Sequence, residues 1–390
     1  VTTNILSLTN TDGVIPYSER GNQGNKSKEN FEEYKVVYPN TIVANSMNIL
    51  IGSVGLSKYE GCVSPVYYVY MAKPQVDIRY MNYLFQMEPF QKRLRQFANG
   101  ILEIRLRVSS HDILHQKVAV PAYDEQQVIA DYLDETCSKI DEIIAEAKAS
   151  IDEYKELKQS VIFEAVTKGL DKNVEMKDSG NLAIGKIPKH WVKARVKNVA
   201  TRITVGVVVT PANYFDDAGT VAFLRGINVK EYVINSEPMM YITEETNKEL
   251  SKTIVHTNDL VIVRDGAIGV TAVVPEKYDG ANVVSMIIVS LGSEYNHDYL
   301  CYVLNSYVGK IQFNLTKIGS ALSHTSVSSV SNIEIPKPSI NEQIDIVNYL
   351  KEQHKKLNSL IAEKESLIND LEAYKKSLIY EVVTGKRRVV

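Results

Sequence analysis

A chain of 390 residues has room for two or three domains, each able to bury its own core. Apolar content of 44% and charged content of 23% are those of a soluble globular protein; no apolar run spans a bilayer, no leader is visible, and Cys62, Cys137 and Cys301 have neither metal-ligand nor disulfide spacing, so a cytoplasmic location is expected. The net charge of −3 disfavours a nucleic-acid partner only as a sum, because residues 124–168 carry −7, residues 340–388 carry +1 and the remainder +3.

In chain order, residues 1–123 alternate short β-rich runs with Gly and Asn turns and contain one helical stretch, "MNYLFQMEPFQKRLRQFANG" (81–100). A long helix is predicted over 124–169. Residues 170–186 are polar and glycine-containing, which predicts a linker. A second β-rich segment covers 187–338 and again holds one helical stretch, at 297–320. A second long helix is predicted over 339–386.

The two helices repeat one another. At an offset of 217, Glu125, Gln126, Tyr132 and Leu133 match Glu342, Gln343, Tyr349 and Leu350. The match resumes at Ser160/Ser377, Ile162/Ile379, Glu164/Glu381, Val166/Val383 and Thr167/Thr384, and each copy stops at a glycine, Gly169 or Gly385. Ser339 and Glu342 are spaced as a capping box. Alternating steps of three and four give one seam of Cys137, Ile140, Ile144, Ala147, Ile151, Tyr154, Lys158, Val161 and Ala165. The other seam is His354, Leu357, Ile361, Lys364, Ile368, Leu371, Lys375, Leu378 and Val382. Such a period over about four heptads is a coiled-coil seam, and antiparallel pairing of the two copies is expected. Lys158 and Lys375 share one seam position. Either the stem lies on apolar surface with the ammonium in water, or the pair fixes register.

The β-rich segments share a layout more loosely: "TIVANSMNILIGSVGL" (41–56) answers "DLVIVRDGAIGVTAV" (259–273). The run 187–217 has no counterpart ahead of Val1, so the first domain is expected to lack its front, either because several tens of residues are absent upstream or because the order has been cut and rejoined. The fold class expected is α+β: two mixed β-rich domains alternating with two long α-helices paired as an antiparallel coiled coil.

This layout resembles the specificity subunit of type I restriction–modification enzymes. The residues carrying the likeness are "GCVSPVYYVY" (61–70), "VPAYDEQQVIADYL" (120–133), "GKIPKHW" (185–191) and "IPKPSINEQIDIVNYL" (335–350). The resemblance implies that each domain is a target-recognition domain reading one half of a split, asymmetric double-stranded DNA target. It implies that the helices act as a spacer and dock two methyltransferase subunits, joined by restriction–translocation subunits. A twofold protein of this kind suits half-sites about 34–36 Å apart.

Base reading calls for forked or amide-bearing side chains, with further donors on phosphates. In the first domain the candidates are Arg20, Asn22, Gln23, Lys26 and Lys28 from a polar loop, then Arg105, Arg107, Ser109, Ser110 and His111. In the second they are Lys317, Ser320, Ser323, His324, Thr325 and Ser326, with Arg202, Arg225, Asn228, Lys230 and Arg264. Against this stands the plain alternative that polar loops are solvated and Ser/Thr clusters bond to their own backbone. Ile129, Ile143, Leu157 and Ile162 lie off the seam, where they would meet further helices or the chain's own domains.

No phosphate-binding loop, methyltransferase Asn/Asp-Pro-Pro-aromatic string or metal-ligand cluster is present, and "RDGAIGV" (264–270) reads as a hairpin. No cofactor, no metal and no catalysis by the chain itself are expected, and no membrane contact. The rival expectation is a scaffold whose domains bind protein.

Overall fold

The computed structural model describes residues 4–9, 13–20, 33–100, 106–317 and 324–389, the side chains of 316 and 317 excepted. The chain forms two compact units, Val1–Ser150 with Glu363–Val390, and Ile151–Ala362. Each holds one β-rich head together with part of both long helices.

In the first unit the elements run β1 (Leu6–Thr9), β2 (Gly13–Pro16), β3 (Lys35–Val37), β4 (Ile42–Asn45), β5 (Val54–Leu56), β6 (Gly61–Val63), β7 (Tyr67–Tyr70), α1 (Ile78–Gln86), α2 (Glu88–Leu94) and α3 (Ser110–Leu114). The long helix α4 (Tyr123–Lys168) follows and continues into the second unit. The central sheet has the order β5-β4-β7, all antiparallel; β1 pairs with β2 and β3 with β6. Ile42, Ala44, Ile49 and Val54 from the sheet region meet Tyr80, Leu84, Phe85 and Phe90 from α1 and α2.

The second unit continues with β8 (Met176–Asp178), β9 (Lys186–Pro188), β10 (Val192–Arg195), α5 (Val196–Val199), β11 (Ala200–Val205), β12 (Val221–Leu224), β13 (Val229–Lys230), β14 (Val233–Ile234), β15 (Met240–Ile242), α6 (Glu244–Glu249), β16 (Leu260–Val263) and β17 (Thr271–Val273). Then come β18 (Asn282–Val283), β19 (Met286–Leu291), α7 (His297–Asn305), α8 (Tyr307–Lys317), α9 (Val327–Ser331), β20 (Glu334–Lys337) and the long helix α10 (Ile340–Val383). Its main sheet has the order β11-β19-β16-β17. Residues 264–270 join β16 to β17 as a hairpin, as expected.

The expected linker 170–186 is instead folded. β8 and β9 pair, Ala183 and Ile184 are buried, and the Asn181 carboxamide accepts from the Ala183 N–H at 2.8 Å. Its polar composition reflects turn residues hydrogen-bonding their own backbone rather than a solvated tether.

The seam is the period made visible. Every residue of both predicted seams is buried or half-buried, whereas most of their neighbours are exposed. In the first unit Ile129, Leu133 and Ile140 of α4 cluster with Ile368, Leu371, Leu378, Ile379 and Val382 of α10. In the second, Ile162, Ala165 and Val166 cluster with Ile346, Val347 and Leu350. Rising numbers on one helix meet falling numbers on the other, so the pair is antiparallel. The two lysines cross the seam at matching positions. Lys375 Nζ donates to Asp141 at 2.6 and 2.7 Å, and Lys158 Nζ donates to Asn358 Oδ1 at 3.0 Å. Asp141 and Asn358 are themselves repeat mates, so each unit carries the same cross-helix tie, which favours the register role.

The heads are fixed to the helices by the repeated Glu-Gln motif. Gln126 is buried; its carboxamide donates to the Pro121 carbonyl at 2.9 Å and accepts from the Asp77 N–H at 2.9 Å. Gln343 does the same, donating to Pro338 at 3.0 Å and accepting from Asn296 at 2.7 Å. Asp77 and Asn296 are the N-caps of α1 and α7. One side chain thereby closes the turn into a long helix and satisfies a backbone donor ahead of the head's own helix. A tyrosine from each of those helices completes the attachment: Tyr80 donates to the Val383 carbonyl at 3.1 Å, and Tyr299 to the Val166 carbonyl at 2.9 Å. Val166 and Val383 are repeat mates at the helix C-termini, where carbonyls lack intrahelical partners.

Candidate nucleic-acid interface

Both heads build the same small device from different residues. In the first, the Val108 N–H donates to the Ser46 carbonyl at 3.0 Å, locking residues 107–109 against the loop after β4. Ser109 then caps α3 by accepting from the Asp112 N–H at 3.1 Å. In the second, the Thr325 N–H donates to the Arg264 carbonyl at 3.1 Å, beside the loop after β16, and Ser326 caps α9 by accepting from Ser329 at 3.0 Å. The pairs 108/325 and 109/326 again differ by 217. In each case a short extended run ends at a capped helix and lies against a sheet-end loop.

Around the first device, Arg107 is exposed and its backbone exchanges two 2.9 Å hydrogen bonds with Asn99. Ser110 accepts from the Tyr70 hydroxyl at 3.1 Å. His111 is exposed and stacks on His115 with ring centroids 3.8 Å apart. Arg20 lies 5.4 Å from the Tyr17 ring. Asn22, Gln23, Lys26, Lys28 and Arg105 lie outside the described residues.

Around the second device, Arg264 is half-buried, and His324 forms a β-bridge with Asp265. The Asp265 carboxylate accepts from the Ser285 hydroxyl at 2.7 Å, and Ser285 has φ +46°. A serine held in the left-handed region costs on the order of 1 kcal/mol and here aims its hydroxyl at Asp265. Lys230 is exposed on β13. Ser320 and Ser323, and the Lys317 side chain at the end of α8, lie outside the described residues.

Several of the expected DNA-reading side chains are committed internally. Arg202 donates to Asp259 and to the Ile254 carbonyl, both at 2.9 Å. Arg225 donates to the Pro238 carbonyl at 2.9 Å. Asn228 is wholly buried; it accepts from the Arg225 N–H and donates to Asn235 and Pro238. Thr325 is 1% exposed. Ser109 and Ser326 serve as caps. The internal alternative describes these six, because a buried or capped polar group is spent on the backbone around it. Of the remaining candidates Arg107, His111 and Lys230 are exposed, and Arg264 and His324 are half-buried. Sequence reasoning missed Ser46, Tyr70, Asp265 and Ser285; only the loose match of 41–56 with 259–273 pointed to the loops that carry the first and third.

The off-seam residues divide in the same way. Ile129 and Ile162 are buried in the cores formed by the helices and their heads, which corrects their expected partner role. Ile143 and Leu157 are 45% and 49% exposed, and their repeat mates on α10, Leu360 and Tyr374, are 39% and 46% exposed. An outward apolar position thus recurs on both helices.

The sequence model for the type I restriction–modification DNA specificity domain matches residues 2–153 and 188–370. The chain belongs to that specificity family. Its two matched segments each take in one head, and the second runs on into α10. The chain is 24% identical over 254 residues to the type I restriction enzyme EcoBI specificity subunit of Escherichia coli. That match covers 62% of this chain, which spans about half (52%) of that relative's length. Among solved structures, one from a study of assembly and conformational transition in a type I restriction–modification system aligns with TM-score 0.70 at 14% identity. It covers 90% of this chain and 83% of the other. The HsdS subunit from Thermoanaerobacter tengcongensis aligns over the same shares with TM-score 0.51 at 14% identity. At such identities these two speak to the fold of the specificity family alone.

Proposed function

We propose that this chain is a non-catalytic DNA-specificity subunit of the bacterial cytoplasm, in which each head reads one half of a bipartite asymmetric target. The observation that carries the reading is the duplicated device with unlike surroundings. Both heads present a capped run on a sheet-end loop, but one surrounds it with Arg107 and His111 and the other with Arg264, Asp265 and His324. A shared frame with divergent exposed and half-buried side chains suits two readers of different sequences. Arg107 and Arg264 are the side chains suited to guanine, with His111, Lys230 and His324 as further donors to bases or phosphates.

In the same reading the paired helices set the spacing between half-sites. The recurring outward positions Ile143, Leu157, Leu360 and Tyr374 receive two methyltransferase subunits, and restriction–translocation subunits join that core. Exposed apolar side chains at repeat-related positions favour two equivalent partners over one.

The test is binding of the chain, assembled with its methyltransferase subunits, to DNA of varied sequence and salt. A specificity subunit gives sequence-dependent affinity with a linear loss against log salt. A protein scaffold gives neither.

A further inference from the structure

One exposed carboxylate of the second head is held in place from two sides. Asp265 follows Arg264 in the hairpin between β16 and β17, and its backbone is bridged to His324. Its Oδ2 accepts from the Ser285 hydroxyl at 2.7 Å. Ser285 is itself pinned: its N–H donates to the Val207 carbonyl at 2.9 Å, and its φ of +46° lies in the left-handed region that a serine enters only at a cost. Among the described residues no lysine, arginine or histidine lies within ion-pair distance of Asp265, so the carboxylate does not serve to neutralise a neighbour.

This pair lies outside the frame that the two heads share. Ser46 accepts from Val108 as Arg264 accepts from Thr325, so Met47 answers Asp265. β7 begins with Tyr67 opposite Asn45 as β19 begins with Met286 opposite Val263, so Val66 answers Ser285. The first head thus builds the same capped run with two apolar side chains at these places, Met47 half-buried and Val66 37% exposed. Bracing the run does not need the hydrogen-bonded pair. What remains for Asp265 is its outward chemistry.

Beside DNA an exposed carboxylate is repelled by phosphates, and in the major groove its favourable use is to accept from an exocyclic amino group. Cytosine N4 is such a donor with no acceptor beside it. Adenine N6 adjoins the N7 acceptor, which opposes a second carboxylate oxygen. We propose, resting on the reading of both heads as DNA readers, that Asp265 accepts a hydrogen bond from N4 of a cytosine in the half-site of the second head. Ser285 is its positioning residue: the hydroxyl occupies Oδ2 and leaves Oδ1 for the base.

The chain assembled with the methyltransferase subunits proposed for it is mixed with a library of randomised DNA duplexes, and the bound fraction is sequenced. The wild type should prefer cytosine by about 10- to 100-fold at one position of one half-site. Asp265→Asn keeps the size but offers a carboxamide, which moves that position toward adenine; Asp265→Ala levels it, with the other positions unchanged. Ser285→Gly removes the hydroxyl and relieves the left-handed backbone, so the cytosine preference falls about tenfold while the urea midpoint of unfolding holds or rises. A falling midpoint with the base preference intact overturns the positioning role. Sequence-dependent binding in which both Asp265 variants keep the wild-type base at every position overturns the inference and leaves the two-reader account standing. A uniform gain of affinity over all sequences does the same, since it places Asp265 near phosphates. Wild-type binding without any sequence preference overturns both.

Discussion

The two units solve one attachment problem with the same side chains and tune it with different ones. Gln126 and Gln343 make the same pair of hydrogen bonds, and Tyr80 and Tyr299 reach the same carbonyl of a helix terminus. Yet seam position 137/354 is cysteine in the first unit and histidine in the second, and the cross-helix tie is Lys–Asp in one and Lys–Asn in the other. Groups that hold a head on the frame are kept, and groups that only adjust packing or charge have diverged. The glutamine and tyrosine attachments are therefore the invariant of the design, while stability and acid response differ between units.

The largest expected effect separates the units at Trp191, whose indole N–H donates to Glu342 at 3.0 Å in the second unit. Trp191, the single tryptophan, is fully buried, and Trp191→Ala costs about 3–5 kcal/mol in the second unit by deleting a large buried ring. Urea unfolding followed by circular dichroism should show one transition moving to lower urea and the other staying in place. Both transitions moving together would mean that the units do not unfold independently.

Gln126→Ala and Gln343→Ala sharpen the same comparison. Each leaves a buried backbone N–H and a proline carbonyl without partners, a cost of about 1–3 kcal/mol. Trp191 fluorescence should report the loss for Gln343→Ala and stay unchanged for Gln126→Ala. Equal responses would break the claim that each glutamine serves its own head.

Arg107→Ala tests the divergent surfaces. If Arg107 reads guanine, as proposed, its removal costs about 1–3 kcal/mol at a single base position of one half-site and leaves the other half-site untouched. Uniform weakening over all sequences would place Arg107 on a phosphate instead.

Acid response follows from position 354. Burial first, and then the charge of Lys158, hold the His354 imidazole down to about 4 from its ordinary 6.5. Between those values the unfolded chain binds a proton that the folded second unit does not, so stability is full above pH 6.5 and falls as pH drops toward 4. Glu342 acts lower. Partial burial opposes its ionisation, but hydrogen bonds from His190, Trp191 and Ser339 outweigh that and bring it to about 2, so its contribution holds above 4.5 and fades below. Cys137 is pushed up to about 11, mainly by burial, and stays neutral throughout. Unfolding from about pH 7 to 4.5 should therefore shift the tryptophan-reported transition, and His354→Cys should flatten it. The smallest effect is that of Lys375→Met, about 0.2–1 kcal/mol in the first unit, since Asp141 is 59% exposed.

The seam was legible because a period of 3.5 residues has one physical cause, burial of a stripe, and each predicted member is covered. Antiparallel pairing and the class of heads were legible through the repeat. The glutamine clamp was not: Gln126 and Gln343 were seen as repeated, but nothing in spacing says that an amide will turn inward to a proline carbonyl. Site residues were legible only in outline. Asn228, Thr325 and Arg202 look like Arg107 in sequence, and what divides them is burial set by partners distant along the chain, such as Asp259 for Arg202. Ile129 and Ile162 failed as partner residues for the same reason, since the heads that cover them are invisible to helix periodicity.

The most direct measurement is the methylation motif written by the chain assembled with the methyltransferase subunits proposed for it, before and after residues 187–338 are replaced by the corresponding segment of another family member. Two unlike readers on one frame predict a split asymmetric motif in which only one half changes. A continuous motif, or a change in both halves, would contradict the account.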